Sequence, residues 1–144
     1  MSERGTWRRA PGAAVATALA LAPGIGLAEA SIADGRALFL ETCAGCHGAR
    51  AAGDGPAGAL LTVEVPDLTG IARRAGGDYD IVRVIQLMDG RQGLAAHGGP
   101  MPLYGGLLTG PAAVVDGPDG SPVQTTEPIL AIALWLESIQ ETAP

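Results

Sequence analysis

Lysine is absent from this 144-residue chain: all nine basic residues are arginines, set against fifteen Asp and Glu. The resulting net charge of −6 excludes the basic stripe by which nucleic-acid binders meet phosphate. Aromatics are almost as scarce, with two Trp, two Tyr and one Phe, although large aromatic side chains usually dominate a core's buried area. Cysteine occurs only twice, and two thiols close at most one bridge, which excludes a disulfide-dense scaffold. No nucleotide-cradling glycine loop, carboxylate dyad or Ser–His–Asp arrangement is visible in the sequence. What the chain has in quantity is glycine (22) and proline (11). A length near 150 predicts a single domain. This one is under-supplied with core material, so something other than polypeptide is expected to complete its interior.

The first thirty residues read as an address. Met1–Arg9 carries Arg4, Arg8 and Arg9 against one acid, Glu3, and 10–27 is uncharged and rich in Ala, Leu and Val. Ala28-Glu29-Ala30 then closes the segment with a small-x-small triplet. Basic start, apolar stretch and small-residue exit are the parts of a secretory signal peptide, with cleavage expected after Ala30. The rival reading is an uncleaved membrane anchor. Pro11, Pro23, Gly24 and Gly26 shorten any helix below the roughly 20 apolar residues a bilayer needs. The Arg8-Arg9 pair between Trp7 and Ala10 is a weak match to a twin-arginine signal. The expected organisation is therefore a signal peptide over 1–30 and one exported, periplasmic domain over 31–144. That domain keeps six arginines against thirteen acids, a net of −7.

The two cysteines stand three apart, with a histidine directly after the second: Cys43-Ala44-Gly45-Cys46-His47. C-x-x-C-H is the haem c attachment signal. Each thiol adds to a vinyl group of the porphyrin, and the adjoining imidazole reaches the iron. The two vinyl groups lie on one edge of the ring, and one helical turn between the cysteines spans them. Three other readings compete. A thioredoxin-like pair needs a preceding strand and a βαβ frame, whereas 31–43 reads as helix. A zinc site needs four ligands, and only Cys43, Cys46, His47 and His97 are on offer, two of them adjacent. A disulfide within the motif closes too small a loop to stabilise much. A haem also supplies the flat apolar bulk that the sequence lacks.

Iron bound by His47 has a second face. Met88, His97 and Met101 are the candidates for it, beside an open site with no sixth ligand. Met88 belongs to 80–88, where Ile81, Val84, Ile85 and Met88 recur at helical spacing, which points to core. Met101 lies between Pro100 and Pro102, where helix and central strand are disfavoured, and a rigid extended loop presents a thioether well. Met101 is preferred; His97 is the rival, since imidazole also ligates haem iron.

With these motifs in place, residues 31–144 resemble a class I monohaem cytochrome c of the bacterial type. The Cys43–His47 motif carries the resemblance most specifically, and Met101-Pro102-Leu103-Tyr104 adds to it. The resemblance implies a mostly α, small cytochrome c fold, with helices packed around one covalently attached haem. It implies that the Cys pair ends an N-terminal helix marked by Gly35 and Phe39, and that a C-terminal helix crosses it with Trp135 as its aromatic. It further implies that a Gly-Pro pair, here Gly55-Pro56, orients the ligand histidine through the Pro56 carbonyl. The chain departs from the pattern over Thr109–Thr126, which is longer than a minimal member needs. There Val114-Val115 and Val123-Gln124-Thr125 flank Asp116-Gly117-Pro118-Asp119-Gly120, so a short β-hairpin near 113–125 is expected, read as a surface ornament rather than a docking element.

The remaining architecture follows from periodicity and capping. Ser31 is expected to cap the first helix with Asp34 three residues on, and Ile32, Phe39 and Leu40 to form its apolar side. The 48–67 stretch reads as loop whose Leu60-Leu61 patch walls the haem. Short helices are expected over 68–76 and 79–88. A last helix opens near Thr126 with Pro128 in its first turn and apolar positions 129, 132, 136 and 139. Arg73, Arg74 and Arg91 are candidate partners for the haem propionates. The resemblance implies a periplasmic single-electron carrier rather than an enzyme, with haem c held by Cys43, Cys46, His47, Pro56 and Met101 and the iron ligated by His47 and Met101. Its partners would be redox proteins (a dehydrogenase, an oxidase or a cytochrome complex), with no nucleic acid, and a membrane only if 1–30 stays attached. Two alternatives remain open. One is a fixed electron-accepting haem c subunit of a periplasmic dehydrogenase complex; the other is an open-site gas sensor or peroxidase. A dihaem peroxidase is excluded by the single motif.

Overall fold

Two helices that cross at a glycine organise the chain. The computed structural model describes residues 26–91 and 101–141, with side chains from residue 32 onward. The first helix, α1, spans Gly26–Thr42. It therefore begins ahead of Ser31, which lies inside the helix instead of capping it. Leu27, Ala28, Glu29 and Ala30 are good helix formers, so in the full chain they extend the helix backwards. The rest of the expected signal peptide, 1–25, lies outside the described residues. From residue 32 the buried side of α1 runs through Gly35, Phe39 and Cys43, the four-residue step that keeps side chains on one helix face. Leu38, rather than the expected Leu40, joins Ile32 in packing against the core.

The last helix, α5, spans Glu127–Ser138 with Pro128 in its first turn, as the sequence predicts. It buries Ile129, Ala131, Ile132, Ala133, Trp135 and Leu136, and Ile139 packs against the same core just past its end. The approach of α1 is so close that a Cβ on Gly35 would sit 1.9 Å from the Ala131 carbonyl oxygen. Phe39, fully buried, meets the Trp135 ring at a centroid distance of 4.5 Å and a tilt of 45°. The expected Gly35–Phe39–Trp135 crossing is thus present.

Between these helices lie, among the described residues, three short ones: α2 (Ala44–His47), α3 (Ile71–Arg74) and α4 (Ile81–Asp89). The helix expected over 68–76 is only the four residues of α3, because Gly70 and Gly76-Gly77 bound it and 75–77 fold back on its carbonyls. Helix α4 starts two residues later than expected, with the Asp80 carboxylate accepting the Arg83 N–H at 2.9 Å. It buries Val82, Val84, Ile85 and Met88. Among the described residues no helix is long and apolar enough to cross a membrane.

The expected hairpin forms. Strands β1 (Ala112–Asp116) and β2 (Pro122–Thr126) pair antiparallel, with Val114 opposite Gln124 and Asp116 opposite Pro122. The turn closes through Gly117 N–H to the Ser121 carbonyl at 2.7 Å and through Asp119, whose carboxylate accepts from the Ser121 N–H and hydroxyl. These bonds hold the Asp119 carboxyl below its usual range. The hairpin is fastened at its base: Thr126 Oγ1 donates to the Leu108 carbonyl at 2.8 Å and Glu127 N–H to that of Pro111 at 2.9 Å. Past the end of α5, Gln140 ties three points together. Its amide oxygen accepts Ala72 N–H at 2.9 Å, and its NH2 donates to the Leu68 and Leu136 carbonyls at 2.9 and 2.7 Å.

Candidate functional site

The site grows from the break between α1 and α2. Helix α1 ends at Thr42, and the chain turns at Cys43 so that the N–H groups of Cys46 and His47 both point to the Cys43 carbonyl, at 3.2 and 3.0 Å. This single turn carries both thiols and the imidazole. The two cysteines are unbridged. Burial pushes the Cys43 thiol up; the Thr42 hydroxyl beside its sulfur, at 3.3 Å, opposes that in part. His47 is buried, with its ring 6.5 Å from that of Phe39, so the helix crossing and the histidine share one aromatic column.

One sequence expectation needs correcting here. The carbonyl beside His47 Nδ1 is that of Pro66, at 3.4 Å, whereas Pro56 is exposed. The reason lies in backbone pairing. Gly55 N–H donates to the Cys46 carbonyl at 3.1 Å and Ala57 N–H to that of Gly45 at 2.8 Å. The Gly55-Pro56 segment therefore braces the motif's main chain and leaves Pro56 facing outward. Further on, Leu68 N–H bonds to the Ala51 carbonyl at 2.7 Å and brings Pro66 back beside the imidazole. Asp67 firms this turn, its carboxylate accepting from the Thr69 N–H and hydroxyl at 2.8 and 2.6 Å, which hold it below its usual range.

Cys43, Cys46 and His47 open onto a cavity of about 810 Å³, at the upper end of what small-molecule and cofactor sites occupy. Its apolar wall includes Leu61, Val65, Leu68, Val84, Leu87, Ile132 and Leu136, and Met101, Pro102 and Tyr104 line it as well. Met88 is both core and wall: it is 6% exposed and still lines the cavity. Met101 is half-buried. His97, the rival ligand, lies outside the described residues. Of the Leu60-Leu61 patch only Leu61 lines the cavity; Leu60, at the end of a single 3-10 turn over Gly58–Leu60, is 85% exposed.

The three arginine candidates separate. Arg74 lines the cavity and donates to the Asp67 carbonyl at 2.7 Å. Arg73 faces Glu141 at 3.9 Å, away from the cavity. Arg91 is a structural clip: its guanidinium pairs with Asp89 and donates to the Gln124 carbonyl at 2.7 Å, which fastens β2 to the end of α4. The sequence reading missed Arg83, an exposed residue that lines the cavity beside Val84. Its only sequence signal was its place next to an apolar helix position. It also gave no role to Tyr104, whose hydroxyl donates to the Thr42 carbonyl at 2.8 Å.

The donor set fits a porphyrin held through two thioethers: two thiols on one turn, an imidazole beside them, an apolar cavity and a thioether among its lining. Comparison with known proteins agrees. A family model described as Cytochrome c matches residues 32–110. No curated protein and no solved structure matches the chain.

Proposed function

Since the chain belongs to the cytochrome c family, we propose that it is a periplasmic single-electron carrier whose haem iron is held between His47 and Met101. The family binds haem c covalently and performs haem-based electron transfer. Bound here, that group supplies a one-electron change between ferric and ferrous iron. The chain's residues do the rest. With haem bound, Cys43 and Cys46 would hold it, the Sγ–H of each adding across a vinyl group so that the sulfur and the hydrogen go to its two carbons. His47 would offer Nε2 to the metal, with its Nδ1–H donating to the Pro66 carbonyl, which would fix tautomer and ring orientation and raise ligand basicity. Met101, which lines the same cavity, would add a thioether, raising the potential relative to a second imidazole. The apolar wall from Leu61 to Leu136 excludes water and disfavours the extra positive charge of the oxidised state. Arg74 and Arg83 bring positive charge to the cavity's lining, where the porphyrin's carboxylates need it.

The observation that carries this reading is that one cavity is lined by Cys43, Cys46, His47 and Met101 together. With His47 and Met101 both holding the iron, the site would carry electrons and leave no place for a substrate. The absorbance spectrum of the oxidised holoprotein tests it. Methionine ligation requires a weak near-red band, and a spectrum without that band overturns the reading.

The net charge of −6 points to redox partners with a basic docking surface. Association with such a partner is expected to slow several-fold as ionic strength rises from about 0.01 to about 0.15 M. Stopped-flow electron transfer against a basic redox protein measures this, and a salt-independent rate removes charge steering from the account.

A further inference from the structure

The break that creates the Cys-bearing turn also leaves a carbonyl behind. In an unbroken helix the Cys46 N–H would bond to Thr42 O, four residues back; here it bonds to the Cys43 carbonyl instead. Thr42 O thus loses its helical donor at a half-buried position, where an unsatisfied carbonyl is costly. Tyr104 takes it up, donating its hydroxyl at 2.8 Å. Tyr104 stands three residues after Met101. Its own carbonyl accepts the Leu107 and Leu108 N–H groups at 3.0 and 2.8 Å. The next residue, Gly105, lies so close to the end of α4 that a Cβ there would sit 2.5 Å from the Asp89 carbonyl oxygen. The chain just past Met101 is therefore fixed at two points, and one of them is the helix end from which Cys43 projects.

We propose that Tyr104 is a positioning residue for Met101: its hydroxyl latches the methionine's loop to the end of α1 and so holds the thioether at the iron. The proposal rests on His47/Met101 ligation. Thr42 belongs to the same latch, because its Oγ1 donates to the Leu38 carbonyl at 2.7 Å and touches Cys43 Sγ at 3.3 Å. The peptide that receives Tyr104 is thereby held in register with the cysteine.

The test is a titration of oxidised holoprotein with imidazole, which competes with Met101 and bleaches the near-red band. Tyr104→Phe removes only the hydroxyl and keeps the ring. One net hydrogen bond corresponds to roughly a tenfold change in an equilibrium, so the variant is expected to bind imidazole about tenfold more tightly than the parent. Ile129→Val, a buried truncation on α5 outside the cavity, serves as the control. It lowers global stability and leaves imidazole affinity unchanged. Equal affinity in Tyr104→Phe and parent overturns the proposal, as does a control that shifts affinity to the same extent. A parent protein without the near-red band overturns the ligation reading itself, and the latch with it. If Tyr104→Phe does not yield holoprotein, Tyr104→Trp, which keeps a ring but cannot place an oxygen at Thr42 O, is titrated in its place against the same expectation.

Discussion

Met101→Ala is expected to abolish the near-red band of the oxidised protein, admit carbon monoxide rapidly to the ferrous protein and lower the reduction potential. The fall should be on the order of 0.1 V, a modest part of the ~0.8 V over which axial ligands move haem potentials. The argument is chemical. A thioether is soft and neutral and favours ferrous iron; water or hydroxide in its place favours ferric. Met88 is the internal comparison, because it lines the same cavity from α4 at 6% exposure. Met88→Ala should cost about 2–5 kcal/mol of stability, as buried large-to-small truncations do, and keep the near-red band. Spectra and potentiometry of the two variants decide the matter. A Met101→Ala protein that retains the band, or a Met88→Ala protein that loses it, reverses the assignment.

The second large effect is purely steric. Gly35→Ala would place a methyl group 1.9 Å from the Ala131 carbonyl oxygen. That oxygen belongs to the α5 backbone and cannot swing aside, so the two helices must separate. Separation loosens the contact between Phe39 and Trp135 and, through Phe39, the aromatic neighbour of His47. Overpacking of this kind costs about 3 kcal/mol. In a domain near 100 residues that lowers the melting temperature by roughly 10–20 °C. Gly106→Ala, where nothing lies within 4 Å of the new methyl group, should leave it nearly unchanged. Thermal unfolding followed by far-ultraviolet ellipticity compares the two. Similar melting temperatures would mean that the crossing yields without cost.

The parts of the site that could be read from sequence are those whose chemistry is local. Cys43-Ala44-Gly45-Cys46-His47 declares itself because the thiols and imidazole must sit within one helical turn, whereas the crossing of Gly35 and Phe39 with Trp135 came only through the family resemblance. The hairpin is legible for the same reason, since Asp116–Gly120 is turn chemistry between β-branched stretches. What could not be read depends on long-range pairing. Spacing from His47 selects Pro56, but the Gly55 and Ala57 amides lie along the motif's carbonyls and turn Pro56 to solvent, and the Leu68–Ala51 bond delivers Pro66 instead. Leu60 and Leu61 look alike in sequence; a single 3-10 turn sends one outward and the other inward. Arg74, Arg73 and Arg91 likewise differ only in which neighbour each one finds. The start of α1 was misplaced because Ser31 is a good cap whose preceding residues are good helix formers too.

The Gln140 amide, bridging Leu68, Ala72 and Leu136 just past α5, has a dynamic consequence. The segment at 68–72 borders Pro66, the neighbour of the His47 ring, and the Glu141 N–H adds a bond to the Thr69 carbonyl at 2.9 Å. Fraying at this end of the chain would thus release the proximal loop in the same event. In native-state hydrogen exchange, the amides of Leu68, Ala72 and Glu141 should report one shared opening free energy, which makes them a single cooperative unit with the end of α5.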